Sequence, residues 1–150
     1  MILMSRGFKV AKGYSYNDVE IPTRSTDGSA GYDFKIIETV YVNPGQVVLI
    51  PTGVKAFMED DEVLKIYARS SLPRKKHLML PNSVGIIDSD YYENDDNDGV
   101  IFMQVYNFGT AGVKLAKGER IAQGIFMKFL TATAEEEVTA KRGGGLGSTG

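Results

Sequence analysis

The chain has 150 residues, 17 Lys plus Arg against 19 Asp plus Glu for a formal charge of -2, and 43% apolar residues. That length supports one well-packed core and is too short for two full-size domains, so a single domain over residues 1–150 is expected. The composition excludes a disordered chain and, lacking a basic excess, bulk electrostatic capture of nucleic acid.

With no Cys and a single His, His77, the chain excludes a disulfide framework, a thiolate zinc site, a cysteine nucleophile and any site needing two histidines. The first apolar run, Met1–Met4, is too short for a signal-peptide core, and nowhere do 18 apolar residues follow one another. A soluble, cytoplasmic protein with no membrane partner is expected.

In chain order, strands are predicted at Val40–Val42, Val47–Ile50, Leu64–Ala68, Gly99–Asn107 and Ile121–Phe129, each rich in Val, Ile, Tyr or Phe. Turn signals separate them at Asn43-Pro44-Gly45, Pro51-Thr52-Gly53, Gly109–Gly112 and Lys117-Gly118. A helix is predicted over Ser71–Leu80, with Ser71 as cap and Pro73 in the first turn, and a second over Ala134–Lys141. Many short strands at nearly regular spacing predict a mainly β protein built as a jelly-roll-like barrel. Glycine is 17 of 150 residues against a usual ~7%, and five of these fall between Gly143 and Gly150. That segment alone should be mobile.

Several stretches break the strand pattern with polar and glycine residues. In Asn82–Tyr91 (NSVGIIDSDY), Asp88 follows Gly85-Ile86-Ile87, which puts a carboxylate at the end of a buried strand. A poorly solvated carboxylate there suits a general base acting on water, and the same placement serves an Asp that only closes a turn. Arg69-Ser70-Ser71 ends a strand where a helix opens; a guanidinium, hydroxyls and free N–H groups make a phosphate cradle or an ordinary cap. In Arg142–Gly150 (RGGGLGSTG) a cation is followed by glycines that can approach an anion closely, or that simply fray. The phosphate-loop pattern of nucleotide triphosphatases fails here, because Gly147 stands where Lys is required.

Asn94–Gly99 (NDDNDG) imitates the first half of a calcium loop, but position twelve is Val105 rather than Glu, so a solvated hairpin tip is expected. His77 lacks a second ligand and reads as structural. The aromatic-rich strand from Phe102 to Phe108 reads as core.

Together, AGYD (Ala30–Asp33), ARSSL (Ala68–Leu72), NSVGIIDSDY, GERIAQ (Gly118–Gln123) and the tail ending GSTG resemble the five ordered motifs of the trimeric dUTPase family, over about Ala30 to Gly150. The resemblance implies a jelly-roll, β-clip homotrimer with active sites shared between subunits. It would hydrolyse dUTP to dUMP and pyrophosphate with Mg²⁺, keeping uracil out of DNA and supplying dUMP for dTTP synthesis.

Carried over by position, it implies Asp88 as the base that activates water for attack on the α-phosphorus. Tyr91 would pack against deoxyribose; Asn82, Gly85, Ile86 and Ile87 would read uracil, with Phe102 lining the same pocket. Arg69, Ser70, Ser71 and Gln123 would bind phosphates, and Asp33 would hold waters of Mg²⁺. Arg142, Leu146, Gly147, Ser148 and Thr149 would form the lid, residues 142–150, over the γ-phosphate.

Two departures from the family stand out, one in the tail and the other the acidic NDDNDG insertion after Tyr91-Tyr92, which lengthens the hairpin next to the base pocket. Leu146 occupies the family's aromatic place, and the tail is one residue short, so that counting back from Gly150 puts Lys141 rather than Arg142 at the cationic position. The related dCTP deaminases carry a catalytic Glu where this chain has Gln104, which cannot act as an acid or base, so deamination is not expected. A trimeric scaffold that binds nucleotide without turnover is the non-enzymatic alternative, against which Asp88 and Tyr91 both weigh.

Overall fold

The structure is a computed structural model that describes residues 5–134 and 138–149. Among these residues the chain forms β1 (Gly7–Val10), β2 (Tyr32–Lys35), β3 (Val40–Val42), β4 (Val47–Pro51), β5 (Val54–Phe57) and β6 (Glu62–Ala68). A short helix α1 (Ser71–Lys76) follows, then β7 (Leu78–Met79), β8 (Gly85–Asp88), a 3₁₀ turn at Ser89–Tyr91, β9 (Phe102–Asn107), β10 (Val113–Leu115) and β11 (Arg120–Lys128). The protein is therefore mainly β.

The organising strand is β6. Its sequence alternates Leu64 and Ile66, both buried, with the half-exposed Lys65 and Tyr67, as a strand with one covered face requires. One edge pairs antiparallel with β11 from Ala68↔Ala122 to Glu62↔Lys128, and the other with β8 from Ile66↔Gly85 to Val63↔Asp88. β2 joins the far side of β11, giving the order β2-β11-β6-β8. The remaining strands form β4-β9-β7 and the pairs β1-β5 and β3-β10, and every pairing is antiparallel. One apolar cluster draws Phe34, Leu64, Ile66, Ile101, Met103 and Ile121 from these sheets.

Asn107, fully buried at the end of β9, shows why the following turn forms. Its amide donates to Val42 O and Ala111 O at 2.9 Å each, and its Oδ1 accepts from Gly109 N at 2.8 Å. Every branch of the side chain is satisfied, as burial of an amide demands.

The structure departs from several expectations. The helix stops at Lys76 rather than Leu80, because His77 turns left-handed at φ 55° and Leu78–Met79 pair with Asn107 and Tyr106. Its N-cap is Ser70, not Ser71, and makes no side-chain capping bond. The strand expected from Gly99 begins at Phe102, since Gly99 takes φ 81° to close the preceding loop. Of the expected helix Ala134–Lys141, residues 135–137 lie outside the described residues, and the described remainder is not helical. Strand β8 is a sheet edge with Ile86 55% exposed rather than a buried strand.

Gly124, in the middle of β11, has no room for a side chain: an added Cβ would meet Phe34 Cε2 at 2.9 Å and Leu64 Cδ1 at 3.0 Å. Gly124→Ala should therefore destabilise the protein by about 1–3 kcal/mol in denaturant titration. Gly143→Ala, with open space around it, should leave the midpoint unchanged.

Candidate functional site

The polar residues singled out in the sequence gather in two places, one at each end of β6. At its C-terminal end, Arg69 N donates to Ile121 O at 2.9 Å, which sets Arg69-Ser70-Ser71 beside β11. Gln123 lies across from Tyr67 on one side and Asp33 on the other. A Cβ at Gly31 would overlap Gln123 Oε1, so glycine there leaves space for the Gln123 side chain. Asp33 accepts from Ser25 Oγ at 2.7 Å and pairs with Arg120 Nη1 at 3.3 Å. It lines a cleft of about 330 Å³ with Arg24, Lys35 and Arg120.

At the other end, Asp88 lies opposite Val63 and lines a second pocket with Ile86, Ile87, Tyr91, Phe102, Arg142 and Leu146. Here β8 supplies the carboxylate, the 3₁₀ turn brings Tyr91 under it, and β9 contributes Phe102. The tail returns to close this pocket. Arg142 reaches Asp88 Oδ2 through Nη2 at 2.5 Å and Asp90 Oδ1 through Nε at 2.7 Å, and its Nη1 donates to Gly144 O at 3.1 Å. Gly145 packs so closely on the Tyr91 ring that a Cβ would overlap Cε1. Of the two cations considered for the tail, Arg142 enters the pocket and Lys141 is exposed.

The pocket under the tail holds about 90 Å³, well below the roughly 300–1,000 Å³ of small-molecule sites. A nucleotide can enter only if the tail moves. Asp88 and Asp90 side chains are 49% and 63% exposed, so each ion pair is worth on the order of 1 kcal/mol or less. The strap is ordered yet displaceable.

The two groups do not meet within one chain. From Val63, beside Asp88, to Arg69 is six residues of extended chain, about 20 Å. Asn82 is exposed in the turn before β8 and lies outside the Asp88 pocket, as do Gly147, Ser148 and Thr149. Gly85 packs on Ile66, where a Cβ would come within 3.1 Å. His77 stacks edge-on against Phe108 at 5.7 Å, a structural role.

The sequence reading missed Asp90 as the second carboxylate for Arg142, and Arg120 with Ser25 as the partners of Asp33. The alternation of two carboxylates in Asp88-Ser89-Asp90 was the available signal for the first. For a divalent cation, Asp33 offers one carboxylate, and no cluster of three acidic or His side chains forms among the described residues. That donor set fits Mg²⁺, which keeps most of its waters and takes phosphate oxygens as ligands, rather than a cation held in an all-protein cage.

Comparison with known proteins gives one answer. The family model for dUTPase matches residues 17–150. The deoxyuridine 5'-triphosphate nucleotidohydrolase of Lactococcus lactis subsp. lactis (strain IL1403) is 54% identical over 146 residues, 97% of each chain. A crystal structure of dUTPase from Streptococcus mutans superposes with a TM-score of 0.81 at 48% identity, covering 85% of this chain and 99% of that one. A dUTPase from phage phi11 of S. aureus, described with a structural Mg(II) ion, shares the fold with a TM-score of 0.73 at 18% identity, over 89% of this chain and 97% of that one.

If Arg142 holds the tail down, Arg142→Met should raise amide hydrogen exchange of Gly143–Thr149 toward that of free chain and leave β6 and β11 protected. Unchanged exchange in the tail would show that the Asp88 and Asp90 contacts do not anchor it.

Proposed function

The chain belongs to the dUTPase family, and from that premise we propose that it is a cytoplasmic dUTP diphosphatase, releasing dUMP and pyrophosphate from dUTP. The observation that carries the proposal is the convergence of Asp88, Tyr91 and Phe102 in one pocket beneath the cationic tail, on the stretch that matches the family's third motif. Asp88 takes a proton from water as the water oxygen bonds to the α-phosphorus. The bond from that phosphorus to the bridging oxygen breaks, and pyrophosphate leaves with the electron pair. Tyr91 packs its ring on deoxyribose, and Phe102 with the β8 backbone encloses uracil. Arg69, Ser70, Ser71 and Gln123 bind the phosphates. Asp33 would hold waters of Mg²⁺, which would supply positive charge against a triphosphate that brings about four negative charges to a net-acidic protein.

The separation of the two polar groups supports a shared site. A triphosphate cannot bridge about 20 Å along β6 while its base sits beside Asp88, so Arg69–Ser71 and Gln123 of one copy would face Asp88 of another. Exposed Ile86 on the edge strand β8 and exposed Met127 on β11 are apolar surface that such an assembly would cover. A homotrimer, as the resemblance to the trimeric dUTPase family implies, would close such an assembly. A jelly roll is supported by uniformly antiparallel strands that pair with distant rather than successive neighbours. In the substrate-free chain Arg142 holds Asp88; on substrate binding it would transfer to the triphosphate, free the carboxylate and exclude bulk water. Gln104, half-buried on β9 opposite Leu49, offers no carboxylate for deamination.

A panel of dUTP, UTP, dTTP and dCTP, assayed with Mg²⁺ for pyrophosphate and ammonia, tests the proposal. Pyrophosphate from dUTP alone is expected, whereas ammonia from dCTP, or no turnover of dUTP, would overturn it. Asp88→Asn should lower kcat by at least about 10²-fold with dUTP binding retained. Tyr91→Ala should lower the preference for dUTP over UTP.

A further inference from the structure

The acidic insertion after Tyr91 is solvated at its tip, where Asp95 and Asp96 are exposed, as its composition suggests, but its base is not. Asn94 is buried, and the loop is closed by its own hydrogen bonds. Asn94 Oδ1 accepts from Asp96 N at 3.0 Å and Asn97 N at 3.1 Å, and Asn94 Nδ2 donates to Asn97 Oδ1 at 2.8 Å. Asp98 Oδ2 accepts from Lys12 N and from Lys55 Nζ, both at 2.8 Å, while Glu93 takes a second bond from Lys55 at 3.1 Å. Of the oxygens that a calcium loop would turn inward, Asn94 Oδ1 and Asp98 Oδ2 are thus engaged by protein donors. Lys55 is itself nearly buried and lies 5.1 Å from the centre of the Tyr92 ring, so the insertion is tied to β5.

The loop encloses Tyr91 at both ends. Asn94 Nδ2 donates to Tyr91 O at 2.8 Å. The phenol donates to Val100 O at 2.5 Å and accepts from Asn97 Nδ2 at 2.9 Å. The amide orientation of Asn97 follows from its other contacts: its Oδ1 already accepts from Asn94 Nδ2 and Gly99 N, so its NH₂ must face the phenol. Gly99, at φ 81°, lets the chain close on this residue; a Cβ would strike Tyr91 O at 2.7 Å. Burial pushes the Tyr91 phenol above its ordinary value, and its two bonds are those to Val100 O and from Asn97.

We infer that Asn97 is a positioning residue that fixes the Tyr91 ring at the pocket wall and thereby sets how strictly the enzyme rejects a ribose 2′-hydroxyl. The inference rests on the proposed role of Tyr91 against deoxyribose. A ring held at its hydroxyl by two bonds and at its carbonyl by a third cannot tilt to admit an extra oxygen. A ring released at one of these points can. The exclusion is steric, and its strength depends on the rigidity of the wall.

The test compares kcat/KM for dUTP and UTP in the wild type, Asn97→Ala, Asn97→Ser, Tyr91→Phe, the Asn97→Ala/Tyr91→Phe double variant, Tyr91→Ala and, as a loop control, Asp95→Asn. Asn97→Ala and Asn97→Ser should each lower the dUTP/UTP ratio about three- to tenfold, the scale of one hydrogen bond, with kcat on dUTP largely kept. Tyr91→Phe, which removes both bonds of the hydroxyl, should lower the ratio at least as far, and the double variant should add nothing beyond Tyr91→Phe alone, because Asn97 then has no phenol left to hold. Asp95→Asn should match the wild type. If Tyr91→Ala lowers the ratio but the Asn97 variants do not, or if the double variant is additive, Asn97 does not act through Tyr91 and the inference is overturned. If Tyr91→Ala leaves the ratio unchanged, the role assigned to Tyr91 falls first and the inference with it. Should Asn97→Ala fail to fold, Asn97→Ser and Tyr91→Phe still decide between these outcomes.

Discussion

The double pairing of β6 is the constraint on which the other features depend. Bonded to β11 along its whole length and to β8 along its first half, β6 fixes the register of both neighbours at once. A slip of one residue on either side would turn Leu64 and Ile66 outward and remove the core's centre. The same register places Asp88 at the start of β6 and the Arg69-Ser70-Ser71 turn just past its end. The distance between the Asp88 carboxylate and the Arg69–Ser71 side chains is therefore a property of the sheet, not of any loop. No side-chain rotation can join them within one chain, and this gives the proposed shared site a geometric origin.

Much of this was legible in the sequence where local chemistry and tertiary structure agree. The strands over Val40–Val42, Val47–Ile50, Leu64–Ala68 and Ile121–Phe129 combine β-branched residues with turn residues at both ends, and they form within a residue or two of expectation. Where long-range pairing decides, local signals failed. Leu78–Met79 look helical after Ser71–Lys76 but are taken by β9. Strands β1, β2 and β5 are short, with too few alternations to stand out. The Asp88, Tyr91 and Phe102 pocket follows from motif order. Its closure by Arg142 does not, because 52 and 54 residues separate the guanidinium from Asp90 and Asp88.

The insertion at Asn94–Gly99 shows how composition gives half of an environment, since Asp95 and Asp96 are exposed while Asp98 is held at the base of the loop. Acidic residues suggest solvent, yet Asp98 and Glu93 are held by Lys55, whose ammonium is barely exposed. Burial works to lower the pKa of Lys55, and the hydrogen bonds it donates to Asp98 and Glu93 outweigh it, leaving the ammonium above its ordinary value. Asp98 lies below its ordinary value, because the bonds from Lys55 and Lys12 outweigh its burial. The charge run thus anchors the loop to the body of the protein. The asparagines between the acids make the contacts that reach Tyr91.

The contact of Arg142 with Asp88 gives the tail a second meaning. A guanidinium tethered to the same chain competes for the carboxylate at an effective concentration set by the chain between them, not by how much protein is in solution. Any compact molecule that fits the pocket lined by Asp88, Tyr91 and Phe102 binds with its intrinsic affinity scaled down to the fraction of time the tail is away. A ligand carrying several phosphates can hold the guanidinium elsewhere and escape that reduction. A monophosphate has less charge with which to hold it. On the proposed reading, the closed pocket would act as a filter on ligand charge before any recognition of the base.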